Sequence, residues 1–107
     1  MHLARLSLAA IMVAIAAQHV QAQTPSDWQR GRALARQVCA ECHAVGRRDL
    51  RSPNSRSPSF VAIASTPGMS AIALNVILHT SHRSMPNIIL NAEQTNGIIA
   101  YILSLKK

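Results

Sequence analysis

The chain has 107 residues, a formal net charge of +7 and a single Trp, Tyr and Phe. This length is enough for one small domain, and with so few aromatic residues its core is short of large side chains. The four carboxylates are scattered along the chain without any pairing, and no nucleophile with a nearby base stands out. This composition does not favour an enzyme.

Residues 1–22 are predicted to be a secretory signal peptide. Arg5 gives a positive start, residues 6–17 form an apolar run with Ser7 as its one polar residue, and Ala22 provides a small residue for cleavage. Because the run is too short for a stable transmembrane helix, an uncleaved anchor is the weaker alternative. We therefore expect export to the periplasm and a single domain over residues 23–107.

The first half of that domain contains one clear helical pattern. Apolar positions follow helical spacing from Trp28 to Cys39, and Ser26 or Asp27 can cap the start. A loop rich in Ser, Pro and Arg comes next. Residues 60–64 then form a short apolar segment, which fits either one or two helical turns or a strand.

The second half predicts two more helices. Ser70 can cap the first, which should bury one side, and its apolar residues are Ile72, Leu74, Val76, Ile77 and Leu78. Asn91 can cap the last, with Gln94 in the capping-box position. Its apolar stripe consists of Ile98, Tyr101, Ile102 and Leu105. Since there are no internal repeats and no credible hairpin, we predict an all-α fold with long loops.

The two cysteines, Cys39 and Cys42, are followed directly by His43, and three kinds of site could use them. A zinc site would need a fourth ligand, which His79 or His82 could supply, but the spacing is not that of paired zinc ligands. A redox dithiol usually lies at the N-terminus of a helix, whereas this pair follows the end of one. A plain structural disulfide also remains possible outside the cytoplasm.

Covalent haem attachment accounts for every part of this motif. Two vinyl groups need two thiols at a fixed separation, which one helical turn between Cys39 and Cys42 supplies. The next residue, His43, can then bind the iron through its imidazole. The apolar ring system would also fill a core that has few aromatic side chains.

In order along the chain, the motifs resemble those of a small bacterial class I cytochrome c. They are Gly31 in the first helix, CAECH at residues 39–43, SPSF at 57–60, SMPN at 84–87 and IIAYILSL at 98–105. The resemblance covers almost all of the domain. It implies a cytochrome c fold of three to four helices wrapped around one haem c.

The resemblance also implies roles for individual residues. Gly31 should let the first helix cross closely against the last one near Tyr101. The backbone carbonyl of Pro58 should face His43, and Met85 should be the sixth ligand of the iron. One departure is Ala35, at a position where the family commonly has an aromatic residue. We expect all three aromatic side chains to pack in the core, and Trp28 is a candidate to fill the space beside Ala35.

Met85 has rivals for this role. Met69 also carries a thioether, and His79 and His82 carry imidazoles, although a solvated position is the simpler expectation for both histidines. Met85 precedes a proline in a loop, which is an unusual place for a core methionine. We therefore predict iron ligation by His43 and Met85.

The arginines suggest two uses of the positive charge. Some of those that follow the motif could pair with the haem propionates; the candidates are Arg47, Arg48 and Arg51. Arg56 and Arg83 add to the same charge, which would steer acidic redox partner proteins. A solvated surface explains such charge equally well. Nucleic acid is a poor alternative for an exported chain without aromatic stacking platforms.

These expectations describe a soluble, monomeric, periplasmic electron carrier with one haem iron and no catalysed reaction. The alternative is a haem enzyme or a gas-binding sensor in which the sixth position is open or bound by histidine. The two differ in whether Met85 binds the iron.

Overall fold

The computed structural model describes residues 25–80, 82 and 84–107, and within them it contains four α-helices and no strand. The helices are α1 (Asp27–Val38), α2 (Phe60–Ala64), α3 (Ala71–His79) and α4 (Ala92–Ser104). The prediction of an all-α chain is therefore confirmed, and the ambiguous segment at 60–64 is a helix. The predicted signal peptide and Arg83 lie outside the described residues.

Side chains cap three of these helices where they begin. At α4, the Asn91 N–H donates to Oε1 of Gln94 at 3.0 Å, and the Gln94 N–H donates to Oδ1 of Asn91 at 2.8 Å. This reciprocal pair is the predicted capping box. Ser70 accepts a hydrogen bond from the Ala73 N–H at α3, as predicted, and Ser59 does the same for α2.

Helices α1 and α4 form the largest contact between elements and cross at two glycines. A Cβ atom built on Gly31 would lie 1.8 Å from the carbonyl oxygen of Gly97, so the backbones touch directly. The predicted close crossing is present, but its centre is at Gly97, one helical turn before Tyr101. Gly97 was not singled out from the sequence, although a glycine inside a helical pattern indicates a packing requirement.

The core lies where α4 meets the other helices. All four residues of the stripe predicted for α4 are buried, Tyr101 among them, and so is Phe60. The prediction for Trp28 was wrong, because its side chain is 42% exposed and lies in the first turn of α1. Ala35 is itself fully buried, so this position needs no aromatic replacement.

Only part of the predicted apolar side of α3 is buried. Leu74 is buried and Leu78 packs against the core, whereas Ile72 is 79% exposed and Val76 is 59% exposed. Ile72 and Val76 therefore do not belong to the buried side. No helix in the described ranges is both long and apolar enough to cross a bilayer.

The crossing predicts that Gly31→Ala destabilises the protein. A methyl group at Gly31 can be accommodated only if the α4 backbone moves, so we expect the free energy of unfolding to fall by about 2 kcal/mol or more. At an unconstrained helix position the same change would be stabilising by up to about 1 kcal/mol. Denaturant unfolding measures the difference.

Gly46→Ala is the matched control. The nearest atom to a Cβ there is a carboxylate oxygen of Asp49 at 3.4 Å, which is an ordinary contact. Equal stability of the Gly31→Ala variant and the parent chain would contradict the close crossing.

Candidate functional site

The Cys39–His43 turn continues α1 by one turn. The Cys39 N–H donates to the carbonyl of Ala35 at 2.9 Å, and the His43 N–H donates to the carbonyl of Cys39 at 2.9 Å. The Cys42 N–H also donates to Cys39, at 3.1 Å. The two thiols are thus one turn apart, as predicted, and both line one cavity.

The backbone that leaves this turn is held by four hydrogen bonds from other parts of the chain. The carbonyls of Cys42 and Ala44 accept hydrogen bonds from the N–H groups of Asn54 and Phe60, respectively. The Val45 carbonyl accepts from the Tyr101 hydroxyl, and the Ala44 N–H donates to the Ser52 hydroxyl. Because these partners come from the following loop, α2 and α4, the position of His43 is set by the whole fold.

The imidazole of His43 is oriented by a single backbone group. Its Nδ1 lies 2.7 Å from the carbonyl oxygen of Pro58. A carbonyl can only accept, so Nδ1 must carry the proton, and Nε2 of the neutral ring keeps a free lone pair. This is the arrangement that fixes a metal-binding histidine in proteins.

Phe60 packs between His43 and Tyr101. The ring centroids of His43 and Phe60 are 5.6 Å apart, and those of Phe60 and Tyr101 are 6.2 Å apart, both with tilted planes. Such tilted arrangements are favourable for aromatic rings. The imidazole is therefore backed by the hydrophobic core on this side.

Two cavities lie beside the Cys39–His43 turn and share part of their walls. The larger has a volume of about 340 Å³ and a mainly apolar lining that includes Phe60, Leu74 and Ile102. The smaller has a volume of about 130 Å³ and includes Cys42, Glu41 and Arg56. Five residues line both: Cys39, His43, Pro58, His82 and Met85.

The rivals of Met85 separate in this geometry. Met69 lines only the larger cavity, whereas Met85 lines both cavities. His79 belongs to neither lining, and its Nδ1 lies 2.7 Å from the Asn75 carbonyl within α3. His82 is exposed, as expected, and it also lines both cavities.

The cysteine chemistry does not favour a reactive dithiol. Burial raises the pKa of the Cys39 thiol to about 11, because the thiolate is poorly solvated there. Reactive thiols instead have lowered pKa values. The two sulfurs are not joined in a disulfide. Within residues 25–80, 82 and 84–107, no three His, Cys, Asp or Glu side chains come together as a metal site.

The three arginines predicted to pair with propionates lie away from both cavity linings. Arg47 instead donates to the carbonyl of Ser104, at the C-terminal end of α4, at 2.6 Å. Arg56 lines the smaller cavity. Its sequence neighbourhood gave no signal that distinguished it from Arg47, Arg48 and Arg51.

Comparison of the chain with protein-family models, with curated proteins and with solved structures gives no match.

Arg47 is expected to contribute to stability. Its guanidinium group satisfies a carbonyl at the negative end of α4, so Arg47→Ala should lower the free energy of unfolding by about 1 kcal/mol. The exposed neighbour provides the control, because Arg48→Ala should change it by less than about 0.5 kcal/mol. Thermal or denaturant unfolding compares the two, and equal effects would contradict the proposed role of Arg47.

Proposed function

We propose that the chain is a periplasmic electron carrier of the cytochrome c kind, with one covalently attached haem c. One observation carries the proposal. The two thiols, the imidazole of His43 and the thioether of Met85 all line the smaller of the two adjoining cavities, and all but Cys42 also line the larger one. No other chemistry considered for the CAECH motif uses all four groups.

The residues fit such a group. Cys39 and Cys42 would form the two thioether bonds, since their sulfurs follow each other on one helical turn. His43 would bind the iron through Nε2, which the Pro58 carbonyl leaves unprotonated. Met85 would bind on the other side. When bound, the haem supplies one-electron chemistry at its iron.

The protein's own contribution is positioning and exclusion of water. The Pro58 carbonyl holds the His43 ring in one tautomer and one orientation, which raises its basicity as a ligand. The apolar wall of the larger cavity lowers the local dielectric, and this favours the state of lower charge. Met85, as a soft thioether, favours the reduced state as well.

If His43 and Met85 both hold the iron, the site would support electron transfer rather than catalysis. With both sites taken by side chains, small molecules such as oxygen or carbon monoxide have no free position. Electron transfer needs only brief contact with a partner, for which a small interface suffices. Acidic redox proteins are the proposed partners, because arginines follow the motif closely in sequence.

The charge partner of the haem carboxylates is proposed to be Arg56 instead of Arg47, Arg48 or Arg51. Arg56 lines the smaller cavity, whereas Arg47 is engaged at the end of α4. A guanidinium group can pair with a carboxylate through two hydrogen bonds.

Mass analysis of the chain tests covalent attachment directly. After production in a bacterium that attaches haem to exported proteins, we expect the mass of the polypeptide plus one haem. The haem should remain on the chain in denaturant. The double variant Cys39→Ala/Cys42→Ala should lose all of it, because no thioether can form.

His82→Ala is the control for this experiment, since it leaves both thiols in place and should retain the haem. A bare polypeptide from the unaltered chain would contradict the proposal and favour a disulfide or dithiol protein.

The ferric absorption spectrum tests the sixth ligand. Sulfur ligation gives a weak charge-transfer band at long wavelength, which should be present in the unaltered chain and absent in Met85→Ala. The reduction potential of the variant should fall, because the thioether no longer stabilises the ferrous state.

Met69→Ala is the matched control, because Met69 lines the larger cavity but not the smaller one. It should keep the band. If the unaltered chain lacks the band and its ferrous form binds carbon monoxide readily, a gas-binding or catalytic haem protein replaces the carrier.

A further inference from the structure

We propose that His82 is a second, alternative ligand for the iron, which takes the sixth position when Met85 leaves it. This inference rests on the proposed function and extends it. It concerns the side chains that can close the same face of the cofactor site.

The position of His82 gives the first argument. Besides His43, it is the one histidine among the described residues that lines both cavities. His43 and Met85 line the same pair. An imidazole is a good ligand for haem iron, so His82 has the chemistry that the position requires.

The second argument is that the His82 ring is not engaged elsewhere in the described part of the chain. The Nδ1 atoms of His43 and His79 each lie 2.7 Å from a backbone carbonyl. No comparable partner is found for the His82 imidazole among the described residues, and the side chain is exposed. It can therefore turn towards the cavities without breaking a hydrogen bond described here.

The backbone between the two residues gives the third argument. The Met85 N–H donates to the His82 carbonyl at 3.2 Å, which closes a turn and keeps the two residues close. Ser84 within it has a φ of 66°, a left-handed conformation that is uncommon for residues other than glycine. A strained turn outside any helix is a place where one ligand can replace another with little rearrangement of the core.

The exchange is balanced without a further reactant. The Met85 sulfur would release the iron, and a ring nitrogen of His82 with a free lone pair would hold it instead. No electron is transferred and no proton is released. The consequence would be a site that stays closed to small molecules after Met85 is lost, with a lower potential, because two histidines stabilise the ferrous state less than histidine and methionine do.

Three holoprotein variants test this at one fixed pH. Met85→Leu removes the sulfur but keeps apolar volume, and we combine it with either His82→Ala or His79→Ala. We expect Met85→Leu to have a low-spin ferric spectrum without the sulfur band. The combination with His79→Ala should be the same, because His79 lines neither cavity.

The combination with His82→Ala should be high-spin. Its ferrous form should bind carbon monoxide with at least about tenfold higher apparent affinity than Met85→Leu, which corresponds to His82 occupying nine-tenths of the sites. The inference is overturned if Met85→Leu is already high-spin, or if it stays low-spin when His82 is replaced.

A second measurement covers the case in which Met85→Leu does not accumulate. In the unaltered chain, His82→Ala and His79→Ala, guanidinium is added until the sulfur band is lost. A low-spin ferric spectrum should persist in the unaltered chain and in His79→Ala but not in His82→Ala. Identical spectra of all three proteins would overturn the inference.

These results are separable from the proposed function. A chain without haem, or an unaltered chain without the sulfur band, contradicts the carrier with methionine ligation itself. If the unaltered chain carries haem and shows the sulfur band, but its Met85→Leu variant is high-spin, only the role of His82 is contradicted.

Discussion

The backbone contact between Gly31 and Gly97 is the constraint on which the rest of the structure depends. It brings α1 and α4 so close that no side chain fits between them at this point. One turn later Ala35 is fully buried against the core, and the helix then ends at Val38, with Cys39 as its C-cap. Tyr101 lies one turn after Gly97, and its hydroxyl donates a hydrogen bond to the carbonyl of Val45. The crossing therefore aligns the two ends of the segment that carries Cys39, Cys42 and His43.

The two sides of the candidate site differ in how firmly they are held. His43 lies in a segment whose backbone is bonded to the following loop, α2 and α4, and its ring is fixed by Pro58. Met85 lies in a stretch without helix or strand and is preceded by Ser84 in a left-handed conformation. In the proposed carrier, one ligand is thus built into the core while the other comes from a segment with fewer constraints.

Where local interactions decide, the prediction from sequence was accurate. The caps at Ser70 and Asn91 follow from short-range hydrogen bonds, and the stripe of α4 follows from helical periodicity, so both could be predicted. Trp28 shows the limit. Its helical pattern was correct, but periodicity says which residues share a side and not how far along the helix the partner extends. At the first turn of α1 the tryptophan remains largely uncovered.

The sequence by itself determined three of the four helices, the caps of α3 and α4, and which reactive side chains lie together on one turn. Two thiols three residues apart, with an imidazole directly after the second, are a local arrangement that spacing alone specifies. Only the tertiary structure decided which distant groups join them. Arg47 and Arg56 are nine residues apart in one arginine-rich loop, yet one binds the end of α4 and the other lines a cavity. His79 and His82 differ in the same way, because only His82 lines the cavities. Which of these residues lies at the cavities depends on how distant parts of the chain pack together. Residue type and local spacing do not predict that packing.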